Sequence, residues 1–360
     1  MKILITGLIL ILFSIFSRKY SAYVGFMFVL IVMGLQSGVK GDYDGYHDYF
    51  DAVRLGSKFA HGKVEVGWEF LNSLFSFASF PTFLFVLSLI QFFILSRFVR
   101  KYVNGGYQYM AAVLFFFTFS FMLLQMKAIR QGFAVELCLA AFMYCDDKKY
   151  TFSILMASLA FFIHNSCIIL FPILCLFYLR KIYCRNNTRP LSYSKSLPSV
   201  ITLIYLAFFL FKKTILNGFL YPLRTSNSIL RFAGYFEDIQ YQFDISWLIV
   251  LYDAIMIFTV TWYYKYASSS LKYYSIISII AAFSDMLLFG LGALSRIFMY
   301  LSIFNIVVYP NVAKTLKSKY GTQFYLSYSV LCVAYAFKTS LPWALEKTNN
   351  AFGTYKFIFE

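Results

Sequence analysis

The segment 126–166, MKAIRQGFAVELCLAAFMYCDDKKYTFSILMASLAFFIHNS, decides the fold class of this protein. It contains two apolar runs, 129–144 and 150–163, which are separated by a short charged stretch that ends in Lys148 and Lys149. Apolar runs joined by a basic turn are typical of membrane helices whose connecting loop faces the cytoplasm. The segment therefore predicts a pair of apolar α-helices joined by a cytoplasmic turn.

The composition of the whole chain agrees with this prediction. Of the 360 residues 60% are hydrophobic and 13% are charged, which is about half the charged fraction of a soluble domain. We predict an all-α fold, a polytopic transmembrane bundle of about twelve spans that forms one integral-membrane domain over 1–360. The apolar runs lie at 3–16, 22–39, 82–99, 107–126, 129–144, 150–163, 166–179, 197–211, 246–264, 273–290, 294–310 and 322–337.

The distribution of charge orients these spans. If the loop at Arg18 is cytoplasmic and the sides alternate, the inside loops hold 17 basic residues and two acidic ones. A single helix over 150–179 would move five basic residues outside, so we favour a break at His164. Two long loops, about 40–69 and 212–245, then face outward. Topology explains most of the net charge of +16, and no interleaved basic and aromatic surface indicates nucleic-acid binding.

The cysteines indicate neither a disulfide framework nor a zinc site. All six lie in or beside apolar runs, without a CxxC pair and without histidine at ligand spacing. No metal ligand set and no cofactor are therefore predicted.

Two basic residues stand at the outer start of the fifth predicted span. Lys127 and Arg130 are three residues apart and share one helical face. A helix N-terminus favours an anion, and arginine binds phosphate oxygens with a fixed fork, so the pair suits a diphosphate. The alternative is that both side chains snorkel to the outer headgroups.

Two further polar residues fall at predicted span ends on the outer side. His164 ends the sixth span, where it is either catalytic or a hydrogen-bonded helix end. Arg296 begins the eleventh span, where it either meets an anion or pairs with Asp285. Ionisable groups at such depth are costly and usually face a cavity or a partner.

The first outer loop combines aromatic rings with carboxylates. Asp42, Tyr43 and Tyr46 are followed by Glu65 and Trp68. Sugars stack on aromatic faces and exchange hydrogen bonds with carboxylates, so these residues suit sugar binding. An ordinary solvated loop with interfacial tyrosines has a similar composition, and the carboxylates fix no metal geometry.

The order of these pieces resembles a known family. The motifs are D-Y-x-x-Y (42–46), E-x-G-W-x-x-L (65–71), M-x-x-I-R-Q (126–131), A-x-x-x-H-x-S (160–166) and R-x-x-x-Y (296–300). A lysine-bearing turn separates the third motif from the fourth. Over about 40–310 the chain resembles the EpsG-like family of Wzy-type polysaccharide polymerases.

The resemblance implies a function and a place in the cell. Such proteins polymerise undecaprenyl-diphosphate-linked oligosaccharide repeats at the outer leaflet of a bacterial inner membrane, with the active site outside. A GT-C-like glycosyltransferase architecture, independence of metals and cofactors, contact with membrane lipid and a chain-length regulator protein as partner are also implied. Whether the product is an O-antigen, a capsule or an exopolysaccharide is left open.

The resemblance also assigns roles to residues. Arg130, with Lys127 and Arg296, is expected to neutralise the leaving diphosphate, and Glu65 or His164 to accept the proton of the acceptor hydroxyl. The remaining candidates are Arg224 and Arg231 in the second outer loop for diphosphate, and Asp42, Tyr43, Tyr46 and Trp68 for sugar. Two alternatives stay open, a flippase for lipid-linked oligosaccharide and an O-antigen ligase.

Overall fold

The computed structural model describes residues 2–17, 19–37, 42–57, 64–118, 121, 126, 128–183, 194–224, 247–288, 300–345 and 356–357. Over these residues the fold is all-α, as predicted, with one short antiparallel pairing of Gln36–Ser37 with Lys356–Phe357. The helices form two compact units. One consists of Met1–Asn187 with Leu316–Glu360, and the other of Thr188–Thr315.

The first unit contains most of the helices. They are α1 (Lys2–Phe16), α2 (Ser21–Phe28, continued by a π-helix over Val29–Met33), α3 (Asp42–Arg54), α4 (Val66–Leu74), α5 (Phe80–Tyr102), α6 (Gln108–Phe117), α7 (Ile129–Asp146), α8 (Tyr150–Ile163) and α9 (Leu170–Tyr183). The second unit contains α10 (Leu197–Arg224), α11 (Trp247–Tyr263) and α12 (Ser269–Leu288). Of helix α13 (Asn305–Tyr320), residues 305–315 belong to the second unit and residues 316–320 to the first, which also contains α14 (Thr322–Leu345).

The predicted helix pair is present as α7 and α8, which form an antiparallel hairpin. Lys148 adopts a left-handed conformation with φ 61°, and the Lys149 amide donates to the Tyr144 carbonyl at 2.8 Å. This arrangement ends α7 and reverses the chain. Across the hairpin the Ser153 hydroxyl donates to the Ala141 carbonyl at 2.8 Å, which sets the register of the two helices.

The predicted break at His164 is also present. Helix α8 ends at Ile163, and His164 is extended with φ −153° and ψ 108°. A short 3-10 helix, Asn165–Ile169, leads from there into α9. The single long helix over 150–179 is therefore excluded.

Charged side chains join three helices of the first unit at the turn end of the hairpin. Lys101 of α5 lies 2.7 Å from a carboxylate oxygen of Asp147 and 3.4 Å from one of Asp146. The Tyr102 hydroxyl donates to Asp146 at 3.0 Å, and Lys181 of α9 pairs with the same carboxylate. The two acidic residues of the predicted cytoplasmic loops therefore pair with lysines of the neighbouring helices α5 and α9.

We expect Asp146→Asn to destabilise the protein. The Asp146 side chain is 12% exposed and interacts with two lysines, and hydrogen bonds to charged groups contribute about 1.5–3 kcal/mol each. The free energy of unfolding should fall by about 1–3 kcal/mol, measured by thermal unfolding in detergent. Asp44→Asn, at an exposed position of α3, is the matched control and should leave the melting temperature unchanged. Equal melting temperatures for Asp146→Asn and wild type would contradict the prediction.

The segment 40–69, predicted as an outer loop, contains helix α3 and the first turn of α4. Helix α3 occupies Asp42–Arg54, with Tyr43 and Phe50 buried on one side and Asp44 exposed on the other. Its aromatic residues recur at helical spacing, and this periodicity is what folds an acidic segment into an amphipathic helix.

The second unit has its own apolar core. Its buried cluster comes from α10, α11 and α12 and consists of Tyr205, Val250, Ala254, Ile257 and Met286. The Tyr205 hydroxyl also donates to Asp253 at 3.0 Å. Helix α10 extends through Arg224, so the first part of the segment 212–245, predicted as a loop, is helical.

Membrane-crossing capacity is clear for one described helix. Phe80–Tyr102 has 23 residues and is apolar enough to cross a bilayer. Five shorter apolar helical stretches in the described part of the chain have 10–17 residues, whereas a perpendicular span needs about 20; they are Ile5–Phe16, Ser21–Met33, Tyr150–Ile163, Leu197–Lys212 and Trp247–Tyr263. The predicted span 294–310 begins outside the described part of the chain, because residues 289–299 are not described. The count of about twelve spans therefore stays a prediction.

Candidate active site

The site begins with Glu65, which is the N-cap residue of α4. Its backbone carbonyl accepts hydrogen bonds from the Trp68 and Glu69 amides at 3.0 and 3.1 Å. An acidic N-cap side chain usually accepts from the first amides of its helix, but the Glu65 carboxylate makes no such bond. It is turned away from α4 and is available to other partners.

Those partners are two residues of the α7–α8 hairpin. One carboxylate oxygen of Glu65 accepts a hydrogen bond from Arg130 Nη1, and the other lies 2.9 Å from His164 Nδ1. The hairpin register brings the two together, because Arg130 and His164 each lie eleven residues further from the turn than the Ala141–Ser153 pair. Three predicted catalytic residues thus form one cluster.

The cluster is partly open. Side-chain exposure is 12% for Glu65, 25% for Arg130 and 24% for His164. Groups in such a position are accessible to a ligand yet remain largely shielded from bulk water, where charge interactions are stronger.

The electrostatics of the cluster keep Glu65 ionised. Burial raises the pKa of this carboxyl, but the hydrogen bond from His164, the Glu65 backbone amide and the charge of Arg130 more than compensate. The pKa of Glu65 consequently lies below its ordinary value of 4.5. Because both carboxylate oxygens accept hydrogen bonds, Glu65 is a poor proton acceptor at neutral pH.

An aromatic ring lies against the guanidinium, and a second ring packs on the first. The Arg130 guanidinium lies 5.5 Å from the centre of the Tyr46 ring, and Tyr46 meets the Trp68 ring edge-to-face at 5.7 Å. Tyr46 is half-buried, whereas Trp68 is 1% exposed. Among the predicted sugar-binding residues, Tyr46 is thus beside the charged cluster and Trp68 lies beneath it.

Tyr43, another predicted sugar-binding residue, is buried. Its ring packs edge-to-face on Phe80 at 5.4 Å, and its hydroxyl donates to the Gln36 carbonyl at 3.4 Å. Its contacts secure α3 against the body of the unit.

Tyr49 is a residue near the site that sequence reasoning missed. Burial raises its pKa, the Glu69 carboxylate adds to this effect, and Arg130 opposes it. The signal was the spacing of Tyr46 and Tyr49, which are three residues apart and share one face of a helix. That spacing places the two rings on one face only in a helix, whereas the acidic composition of the segment predicts a loop.

Gly67 allows α4 to approach α8 closely. A Cβ atom at this position would lie 2.6 Å from the carbonyl oxygen of Phe162 and 2.7 Å from its carbonyl carbon. Backbone atoms cannot give way as a flexible side chain can, so a larger residue would push the two helices apart. The glycine of the E-x-G-W motif thereby holds Glu65 within reach of His164.

The structure does not describe the side chains of the other predicted site residues. Lys127, Arg296 and Arg231 are not described, and only the backbone is described for Asp42, which begins α3, and for Arg224, which ends α10. Their assignment to diphosphate or sugar stays a prediction.

The arrangement suits proton transfer beside an anion. Glu65 accepts a hydrogen bond from the Nδ1–H of His164, which leaves Nε2 as a proton acceptor and stabilises the imidazolium that would form. Arg130 uses one of its five N–H donors for Glu65, and its positive charge can compensate charge that develops nearby. The site therefore combines a base, a group that orients it and a cation.

Fold and site together define an all-α protein with a carboxylate, an imidazole and a guanidinium clustered at the end of an apolar helix pair. The chain belongs to the EpsG family, whose model matches residues 19–356. The resemblance drawn from the motifs over 40–310 is thereby confirmed and extended to nearly the whole chain. EpsG-like proteins are Wzy-type polymerases of polysaccharide biosynthesis, and the family is membrane-associated.

No curated protein and no solved structure matches the chain. The GT-C-like architecture consequently stays a prediction.

Proposed function

We propose that this protein is a glycosyltransferase that polymerises undecaprenyl-diphosphate-linked oligosaccharide repeats at the outer leaflet of a bacterial inner membrane. The observation that carries the proposal is the Glu65 carboxylate held between Arg130 and His164. Glycosyl transfer from a diphosphate requires a base for the attacking hydroxyl and positive charge for the leaving group. The cluster supplies both, because His164 and Arg130 contact the same Glu65 carboxylate.

In the proposed reaction a sugar hydroxyl of one repeat attacks the anomeric carbon at the reducing end of another chain. The hydroxyl proton passes to His164 Nε2 as the new carbon–oxygen bond forms. The bond between the anomeric carbon and the lipid diphosphate breaks, and its electron pair leaves with the diphosphate. Arg130 neutralises that charge, and Glu65 orients His164 and stabilises its protonated form.

The aromatic residues support a sugar site beside the cluster. Tyr46 is half-buried and adjoins the Arg130 guanidinium, so we propose that it contacts a sugar ring, together with Asp42. Trp68 and Tyr43 are buried and would hold Tyr46 in position. Further diphosphate contacts are proposed for the remaining predicted basic residues, Lys127, Arg224, Arg231 and Arg296.

The orientation is supported by the two ends of helix α7. Arg130 lies in its first turn and Asp146 ends it, a separation of about 24 Å at 1.5 Å per residue. This approaches the thickness of the hydrocarbon core, about 30 Å. Because the lysines around Asp146 suit the cytoplasmic side, the Arg130 end suits the outer side.

Purified protein in proteoliposomes tests the proposal. With undecaprenyl-diphosphate-linked repeats as sole substrate we expect a ladder of longer chains, with one undecaprenyl diphosphate released for each new linkage. An excess of EDTA should leave the rate unchanged. Movement of substrate across the bilayer without new linkages would instead identify a flippase, and transfer only to an acceptor other than a repeat would identify a ligase.

A further inference from the structure

A groove runs from the candidate active site along the hairpin. Its volume is about 450 Å³, and it lies between α5, α7 and α8 with α4 at one end. We call it the α5–α8 groove. Phe133, Leu137 and Ala140 of α7 form its floor and are 4–5% exposed. The rim is exposed, with Phe93 at 54% and Phe162 at 53%.

One end of the groove adjoins the charged cluster. Gly67, Phe133 and Ile163 line this end, and they are two, three and one residues along the chain from Glu65, Arg130 and His164. The groove continues along α7 as far as Tyr144, about 16 Å from Phe133 at 1.5 Å per residue. The side chains that line the groove over that length are apolar. The charged residues of the lining are Arg97 and Asp147.

We propose that the α5–α8 groove binds the isoprenoid chain of the lipid-linked substrate and thereby presents its diphosphate to Arg130; this inference rests on the proposed function. An exposed apolar rim admits an apolar chain sideways from the surrounding lipid, and burying such a chain is favourable in proportion to its area. The volume is within the range of ligand sites, about 300–1,000 Å³. The groove ends beside a cation, so a chain bound there carries its anionic end to the cluster.

The proposal assigns a specificity role to the groove floor. Ala140 is the smallest side chain among the floor residues and lies seven residues beyond Phe133 and four before Tyr144. A larger residue there shortens the groove without touching Glu65, Arg130 or His164. It should weaken binding of long chains and leave short chains unaffected.

Substrate chain length tests this role. For Ala140→Phe in proteoliposomes we expect the KM for the undecaprenyl-linked repeat to rise about tenfold, with kcat unchanged. The KM for a repeat on a two-isoprene carrier should stay at the wild-type value. Leu159 lies on the rim and is 40% exposed. Leu159→Trp should change the KM values in the same direction, and it replaces Ala140→Phe in the test if that variant does not fold. Ile154→Phe, 65% exposed on the same helix and outside the groove lining, is the matched control and should change neither value.

A binding measurement separates this inference from the proposed reaction. A photoreactive amino acid at position 159 should crosslink to radiolabelled undecaprenyl diphosphate, and the same amino acid at position 154 should not. Unlabelled undecaprenyl diphosphate should compete, and phosphatidylglycerol should not. If wild type forms no polymer while this crosslink persists, the proposed function fails and the groove assignment stands. An unchanged chain-length preference in both groove variants, equal crosslinking at both positions, or equal competition by phosphatidylglycerol would overturn the assignment.

Discussion

Replacing Glu65 by glutamine is expected to slow polymerisation by about a thousandfold, because the change removes the charge that orients and stabilises His164. The glutamine has nearly the same shape, so the fold should persist. Its amide cannot accept from both Arg130 Nη1 and His164 Nδ1 as a carboxylate does. The measurement is the rate of chain elongation in proteoliposomes.

Two further variants make this prediction specific. The double variant Glu65→Gln, His164→Ala should be no slower than His164→Ala alone, since residues that act as a unit are not additive. Glu69→Gln changes an exposed carboxylate on the same helix and should elongate chains at the wild-type rate. A well-expressed Glu65→Gln protein with wild-type activity would contradict the assigned role.

Arg130→Ala is expected to lower the polymerisation rate about a hundredfold. Losing a preorganised donor to the charge of a transition state costs about 3 kcal/mol, which corresponds to a factor of that size. Arg130→Lys should recover only part of the rate, because an ammonium ion cannot reproduce the guanidinium fork. Cells with the alanine variant should accumulate single repeats and lack long polymer, which gel analysis of extracted polysaccharide would measure.

The control for this change is another arginine of the same unit. Arg54 is exposed at the end of α3, and Arg54→Ala should leave chain length unaltered. Normal polymer from an Arg130→Ala protein present at wild-type levels in the membrane would show that Arg130 is only an anchor.

The α7–α8 hairpin was predictable because its signals are local. Two apolar runs, a charged turn and a polar break at His164 each depend on residues that are neighbours in the chain. Helix α3 shows where local reasoning failed, since its acidic composition resembled a solvated loop. The spacing of Tyr43, Tyr46 and Phe50, of which Tyr43 and Phe50 are buried, decided for a helix.

The sequence by itself determined the all-α class and predicted Glu65, Arg130 and His164 as catalytic residues, because composition, periodicity and motif order depend on the sequence alone. Only the tertiary structure decided that one carboxylate serves both other residues, across separations of 65 and 99 positions. That contact depends on how closely α4 packs on α8 at Gly67, and the close approach of two distant helices is not encoded in any local pattern. The same packing buries Trp68 and leaves Tyr46 beside Arg130, so it also decided which aromatic residue meets the site.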